Sequence, residues 1–272
     1  MPMPPSATTR SVRPQFYLLA AAALAALPSC AHTWRNPFAS TGPPAPEVLV
    51  PGMSLDQVIA AVNLNAARIQ SYQTNDATIS VPGTPGVPRL SGNIAAQRPN
   101  RFRLKASSLL GEEVDLGSND ELFWFWVRRN EPPALYYARH DQFAGSQAQQ
   151  MLPISPSWLL YSLGMSTFGP GDQHDGPRIQ ADGTLEVRSM LQTPGGLMMK
   201  STIVDPRRAW VLQQHVYDAQ GSLVASAVAS SHRYYPEAQV SLPQRIEIQM
   251  PSVQLRLSID VGPVAINQPA AN

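Results

Sequence analysis

The sequence predicts a mainly β fold with α: a strongly curved antiparallel sheet of about eleven strands, covered by one long N-terminal helix and a short lid-like helix. Three observations carry this. Apolar residues recur at helical spacing only once over a long stretch, from Ser54 to Ile69. After Tyr72 the period changes to two, and turn signals separate one alternating run from the next. No helical pattern long enough to be a crossover lies between those runs, so neighbouring strands must be antiparallel.

The N-terminus belongs to export. Arg10 and Arg13 precede twelve uncharged, mostly apolar residues from Phe16 to Leu27, and no Asp or Glu occurs before Glu47. This is the layout of a secretory signal peptide. Twelve helical residues rise about 18 Å, well short of the ~30 Å hydrocarbon core of a bilayer. The stretch ends in Leu27-Pro28-Ser29-Cys30, which resembles a bacterial lipobox, with Pro28 the imperfect position. In such a motif cleavage falls before a cysteine that already carries a diacylglyceryl group. Cys30 is the only cysteine in the chain, and a lone thiol in an exported protein needs a purpose that lipidation supplies. Several acyl chains, at ~0.8 kcal/mol per buried methylene, hold stably where one holds marginally. The competing reading is a plain secreted protein with an incidental thiol.

The expected organisation is therefore a lipoprotein signal peptide over 1–29, a lipidated Cys30 with a Pro-rich tether over 30–53, a single domain over 54–265 and a flexible tail over 266–272. The tether follows from Pro37, Pro43, Pro44, Pro46 and Pro51 among Gly and small residues. In the helix, Ser54 is a plausible N-cap, Asp56 sits in the first turn, and Leu55, Val58, Ile59, Val62 and Ile69 form the apolar stripe. Strands follow at Leu90–Ile94, Phe102–Leu104, Val114–Leu116, Leu185–Ser189, Ile246–Met250 and Val253–Val261, each alternating apolar with polar. Pro99-Asn100, Ser118-Asn119-Asp120, Asp182-Gly183, Pro194-Gly195-Gly196, Asp205-Pro206 and Gln220-Gly221 mark the turns.

Two stretches depart from one-sided alternation. Leu122 to Val127 is apolar on both faces, with Leu122, Trp124 and Trp126 on one and Phe123, Phe125 and Val127 on the other, so coverage on both sides is expected. On the strand from Leu223 to Ala229, one face carries Leu223, Ala225, Ala227 and Ala229, which leaves room above the sheet. Small residues on one strand and bulky aromatics on another suit a hollow curved sheet, though composition alone favours a concavity filled by an ordinary helix. Ser157 to Leu163, introduced by Pro153 and Pro156 and closed by Gly164, is apolar nearly all round: a lid over the concave face or a fixed core helix.

At this level of detail the residues resemble a known family. Ser91-Gly92-Asn93-Ile94-Ala95-Ala96-Gln97-Arg98-Pro99-Asn100-Arg101-Phe102-Arg103, followed by Asp120-Glu121-Leu122-Phe123-Trp124-Phe125, is similar to the lipoprotein carrier LolA. Ser108-Leu109-Leu110-Gly111, and Leu152 to Leu160 running on to Gly169-Pro170-Gly171-Asp172, resemble the outer-membrane receptor LolB, itself a lipoprotein. The resemblance implies an incomplete antiparallel β-barrel capped by helices, whose apolar cavity holds the acyl chains of lipoproteins. It implies that Arg98 hydrogen-bonds the lid and keeps the cavity closed. It implies further that Leu110, with Leu109 beside it, lies on a loop that delivers cargo into the membrane. The strand and helix patterns themselves make Trp124, Trp126, Trp158 and Leu159 the candidate residues of the cavity and its lid. The partners it implies are acyl chains of lipoproteins or lipids, a membrane reached through lipidated Cys30, and a periplasmic carrier protein. Arg98 as a solvated strand-end charge, and the leucine pair as a turn buried on the core, are the bland readings. The expected location is the bacterial cell envelope, lipid-anchored, at the outer membrane facing the periplasm.

Other classes of function find little support. Charged residues are 14% of the chain with net charge +1, so there is no basic field for nucleic acid. The histidines His32, His140, His174, His215 and His232 show no paired ligand spacing, so no metal and no cofactor are implied. Gly171 to Gly176 reads as a solvated turn, and Arg139-His140-Asp141 is no triad without a placed serine. Catalysis is not expected. The expected function is acyl-chain binding in the receipt or sorting of lipoproteins; the alternative is a non-transporting envelope sensor or interaction module of the same fold.

Overall fold

The computed structural model of the chain describes residues 42–82, 89–129, 134–153, 155–193 and 196–268. The signal peptide, Cys30, most of the tether and the last residues of the tail lie outside the described residues. Helix α1 spans Leu55–Ala67. The Ser54 hydroxyl accepts from the Gln57 amide while the Gln57 side chain accepts from the Ser54 amide, so two orphan donors of the first turn are satisfied reciprocally. Val58 and Val62 bury against Val187, Val204, Ala209, Phe168 and Leu49.

Behind α1 comes one open antiparallel sheet of fourteen strands. Along the chain they are β1 (Ser71–Ser80), β2 (Leu90–Gln97), β3 (Arg101–Ser108), β4 (Gly111–Ser118), β5 (Leu122–Val127), β6 (Leu135–Arg139), β7 (Gln173–Ile179), β8 (Leu185–Thr193), β9 (Gly196–Val204), β10 (Val211–Tyr217), β11 (Leu223–Tyr235), β12 (Val240–Met250), β13 (Leu255–Val261) and the two-residue β14 (Ala265–Ile266). Their spatial order is β6-β5-β4-β3-β2-β1-β13-β12-β11-β10-β9-β8-β7, with β14 pairing onto β1. The terminal strands β6 and β7 do not pair with each other, so the sheet is not closed. Between them the chain forms α2 (Gln147–Met151) and α3 (Pro156–Leu160), and α3 runs on into a π-helical turn, Tyr161–Met165.

Fourteen strands replace the expected eleven, for local reasons. Strand β7 carries Gln, His, Asp, Gly and Pro and reads as a turn; cross-strand pairing with β8 overrides that composition. Strand β6 lacks alternation, and β14 is too short to show any. The helix count also differs: α2 forms in a polar loop, capped by the Ser146 hydroxyl on the Gln149 amide. The folded chain reaches past the boundaries set from composition. Leu49 is buried, and the amides of Val48 and Leu49 donate to the Arg207 carbonyl. At the other end Asn267 accepts from the Gln70 and Ser71 amides and donates to the Arg68 carbonyl, pinning the residues after β14 to the start of β1.

Register decides what faces inward. Across β2 to β6 the inward rows are Ala96, Phe102, Ser118, Phe123, Ala138; then Ile94, Leu104, Leu116, Phe125, Tyr136; then Gly92, Ala106, Val114, Val127. The alternate rows, including Arg103, Gly117, Trp124 and Tyr137, face outward. Phe123 and Phe125 are buried, whereas Trp124 and Trp126 are only partly covered. The expectation that β5 is covered on both faces is therefore corrected: one face meets the core and the other is half open to solvent. Gly117 makes room for Trp124, since a Cβ there would stand 2.3 Å from the indole.

Candidate functional site

The inward face of β1, β3, β4, β5, β12 and β13 bounds a cavity of about 500 Å3. Its walls include Ile79, Leu104, Leu116, Phe125, Ile248 and Leu257, and its roof comes from α2, α3 and the π-helical turn through Met151, Leu159 and Leu163. Ser162 is its only polar residue among those described, and its hydroxyl is already used, donating to the Leu159 carbonyl at 2.7 Å. Such a space offers a guest apolar contact and no hydrogen bonds. A second, smaller cavity of about 250 Å3 lies beside it, lined by Phe102, His140, Phe143, Trp158, Leu160 and Met198 among others. Phe102 borders both, and α3 separates them, presenting Leu159 to the larger and Trp158 and Leu160 to the smaller.

The expected site residues divide accordingly. Leu159 and Trp158 are buried at the two cavities. Trp124 and Trp126 belong to neither: they sit on the opposite face of β5, because side chains alternate and Phe125 and Val127 take the inward positions. Their place as cavity residues is a correction that register alone supplies. Arg98 follows β2 directly and donates through Nη2 to the Met165 carbonyl at 3.3 Å, at the C-terminal end of the π-helical turn. Its Nε, like the Trp158 indole nitrogen, is buried without a partner.

Leu109 and Leu110 form the two-residue turn between β3 and β4; Leu109 is fully exposed and Leu110 is 77% exposed. The turn is firmly held. The Ser108 hydroxyl accepts from the Leu110 amide and donates to Glu113, and Arg128 Nη1 donates to the Leu110 carbonyl at 2.8 Å. The Ser108 hydroxyl, with Arg129 and Arg128 nearby, holds the Glu113 carboxyl below the usual carboxylate range. The inward row directly beneath this turn is Ala106, Val114 and Val127, which with Val81, Val253 and Leu255 lines the same end of the larger cavity. Exposed leucines and cavity wall thus share one end of the sheet.

Four residues that the sequence did not single out tie α1, the sheet and the roof of the cavity together. Asn63 of α1 exchanges two bonds with Phe168, donating to its carbonyl at 3.1 Å and accepting from its amide at 2.8 Å. Asn65 does the same with Ser241. Gln214 donates to the Tyr161 carbonyl at 3.2 Å, and Lys200 donates to the Thr167 carbonyl at 3.3 Å. Lys200 is buried, and desolvation pushes its ammonium down to about 8. Two asparagines in one helix interior, where they are poor formers, were the available signal for the first pair. Nothing in the sequence marks Lys200. Among the described residues no three His, Cys, Asp or Glu side chains converge as metal ligands, and no helix is long and apolar enough to cross a membrane.

No family model and no curated relative matches the sequence. Solved structures do match the fold. A domain described as an outer membrane lipoprotein-sorting protein, from Vibrio parahaemolyticus, superposes with a TM-score of 0.53 at 9% identity, over 80% of this chain and 95% of that one. A LolA superfamily protein from Nitrosomonas europaea gives 0.51 at 8% identity, over 80% and 95%. At such identities what is shared is the fold: a curved, open antiparallel sheet of the LolA type.

Proposed function

We propose that this protein binds acyl chains in its larger cavity and serves in receiving or sorting lipoproteins in the bacterial cell envelope, anchored by lipid at Cys30 to the outer membrane. The observation that carries the reading is the cavity itself: about 500 Å3 of apolar wall with one satisfied hydroxyl, roofed by a short helix and adjoining an exposed leucine turn. Burial of a hydrocarbon chain there is worth ~25 cal/mol per Å2, so release requires another apolar phase. The exposed Leu109 and Leu110 are the residues that enter it in this reading. The fold shared with a lipoprotein-sorting domain and a LolA superfamily protein supports the reading.

The cavity volume sets the load. At ~30 Å3 per non-hydrogen atom, the share of a water in the liquid, a chain of about sixteen carbons takes about 480 Å3. The larger cavity is on the scale of one such chain with the lid down, and loading a second or third moves α3. Native mass spectrometry of the purified protein should find about one long-chain lipid bound. Labelled lipoprotein offered to the protein should pass to phospholipid vesicles, and Leu109→Asp with Leu110→Asp should abolish the transfer while leaving thermal stability unchanged, since both side chains are exposed. A protein that is empty, and that binds no acylated peptide, ends this reading. Intact mass of the native protein tests cleavage and acylation at Cys30.

A further inference from the structure

We propose that Lys200 and Gln214 form a second latch on the lid, acting from β9 and β10 on the opposite side to Arg98. This rests on the reading above, in which α3 and the turn that follows it move to admit a ligand.

The lid segment ends in carbonyls that no helix satisfies, as any helix C-terminus does. Side chains from elsewhere meet them: Arg98 takes Met165, Lys200 takes Thr167 and Asn63 takes Phe168, while Gln214 reaches the Tyr161 carbonyl at the start of the π-helical turn. These four come from just after β2, from β9, from α1 and from β10, so the segment is tied to elements far apart in the sheet. Gln214 is also bound through its Oε1 to the Ser166 hydroxyl at 3.3 Å, which gives it two contacts on the segment.

Lys200 is the informative member. It is 3% exposed, and its ammonium meets no carboxylate within ion-pair distance among the described residues. What compensates the charge is the lid segment and the turn just after it: the Thr167 carbonyl, the rings of Tyr161 and Phe168, each 5.4 Å from Nζ, and, from beyond ion-pair distance, the Asp172 carboxylate. A buried cation solvated by a carbonyl and two aromatic faces is stabilised only while they stay in place. The closed lid also keeps Arg98 Nε and Trp158 Nε1 buried without partners, a cost that favours opening. Latch and cost oppose each other, and that balance leaves the lid releasable.

The proposal separates Lys200 from an ordinary core residue by sign. Lys200→Met keeps the shape and removes a buried charge, so global stability should hold or rise. The lid alone should loosen, by about tenfold, the scale of one charge-assisted hydrogen bond. The measurement is hydrogen–deuterium exchange of the full-length chain in phospholipid nanodiscs, together with the uptake rate of a fatty acid bearing a fluorophore. Amides of 157–168 should exchange faster in Lys200→Met and in Gln214→Leu, with β12 and β13 unchanged and uptake accelerated; Lys200→Arg should restore slow exchange. Equal lid exchange in Lys200→Met and the parent overturns the proposal. So does faster exchange spread over β8 to β10, which makes Lys200 a packing residue of the sheet. If the parent takes up no fatty acid, the acyl-binding reading fails, and lid exchange still decides the latch.

Discussion

Replacing Gly164 by alanine strikes the junction between lid and sheet. Gly164 sits in the π-helical turn with φ +96°, a region that L side chains rarely adopt. Forcing a Cβ into left-handed backbone costs roughly 1–2 kcal/mol. That Cβ would also stand 2.6 Å from Pro243 Cδ and 3.0 Å from Leu242 Cδ2. The proline ring is fixed to strand β12 and cannot rotate away, so overpacking adds roughly 1–3 kcal/mol. The closed lid should therefore lose about 3 kcal/mol, or about 10 °C in Tm for a domain of this size if lid and sheet unfold together. Thermal unfolding followed by circular dichroism reads the global term, and hydrogen exchange at 157–168 reads the local one. A full drop in Tm means that the lid is part of the cooperative core. A smaller drop with fast lid exchange means that the lid leaves on its own. Neither change, in a variant whose Cβ has nowhere to go, would falsify the packing of Gly164 on Pro243 and with it the closed lid.

Acid should weaken the fold through His232, which stacks on Trp210 at 4.6 Å and is pushed down by burial to about 4. Because the unfolded chain takes up the proton near 6.5 and the folded one only near 4, the stability present above pH 6.5 is lost as pH falls toward 4. The loss is about 3 kcal/mol, visible as a urea midpoint that falls less steeply in His232→Gln. Ile94→Ala, at a fully buried position facing Leu104, should cost about 2–5 kcal/mol in the same assay. Asn267→Ala removes three hydrogen bonds that pin the residues after β14 to Arg68, Gln70 and Ser71, and should lower stability by about 1–2 kcal/mol with faster amide exchange at the start of β1.

How much of this was legible in the sequence depends on the range of the interaction. Helix α1 was readable because its cap, its first-turn acid and its apolar stripe are all local, and it falls within two residues of where they place it. The short helix that Pro156 opens was readable for the same reason. Strand β7 was not, since its residues suit a turn and only pairing with β8 makes them a strand. The Arg98 contact to Met165 spans 67 residues, and the stretch around Arg98 pointed to it only through likeness to a family.

The sequence by itself determined the class of fold: a single long helix, and a sheet whose period-two runs demand an antiparallel partner at each turn. It also marked the leucine turn, though not whether the turn would be exposed. Tertiary structure decided which face of β5 is the inside, and so exchanged Trp124 and Trp126 for Phe125 and Val127 at the cavity. A strand apolar on both faces carries no local information about direction, because a period of two is symmetric until a neighbouring strand fixes which side closes on the core. It also placed Lys200 under the lid, where the cost of burying a charge depends wholly on groups brought from far along the chain.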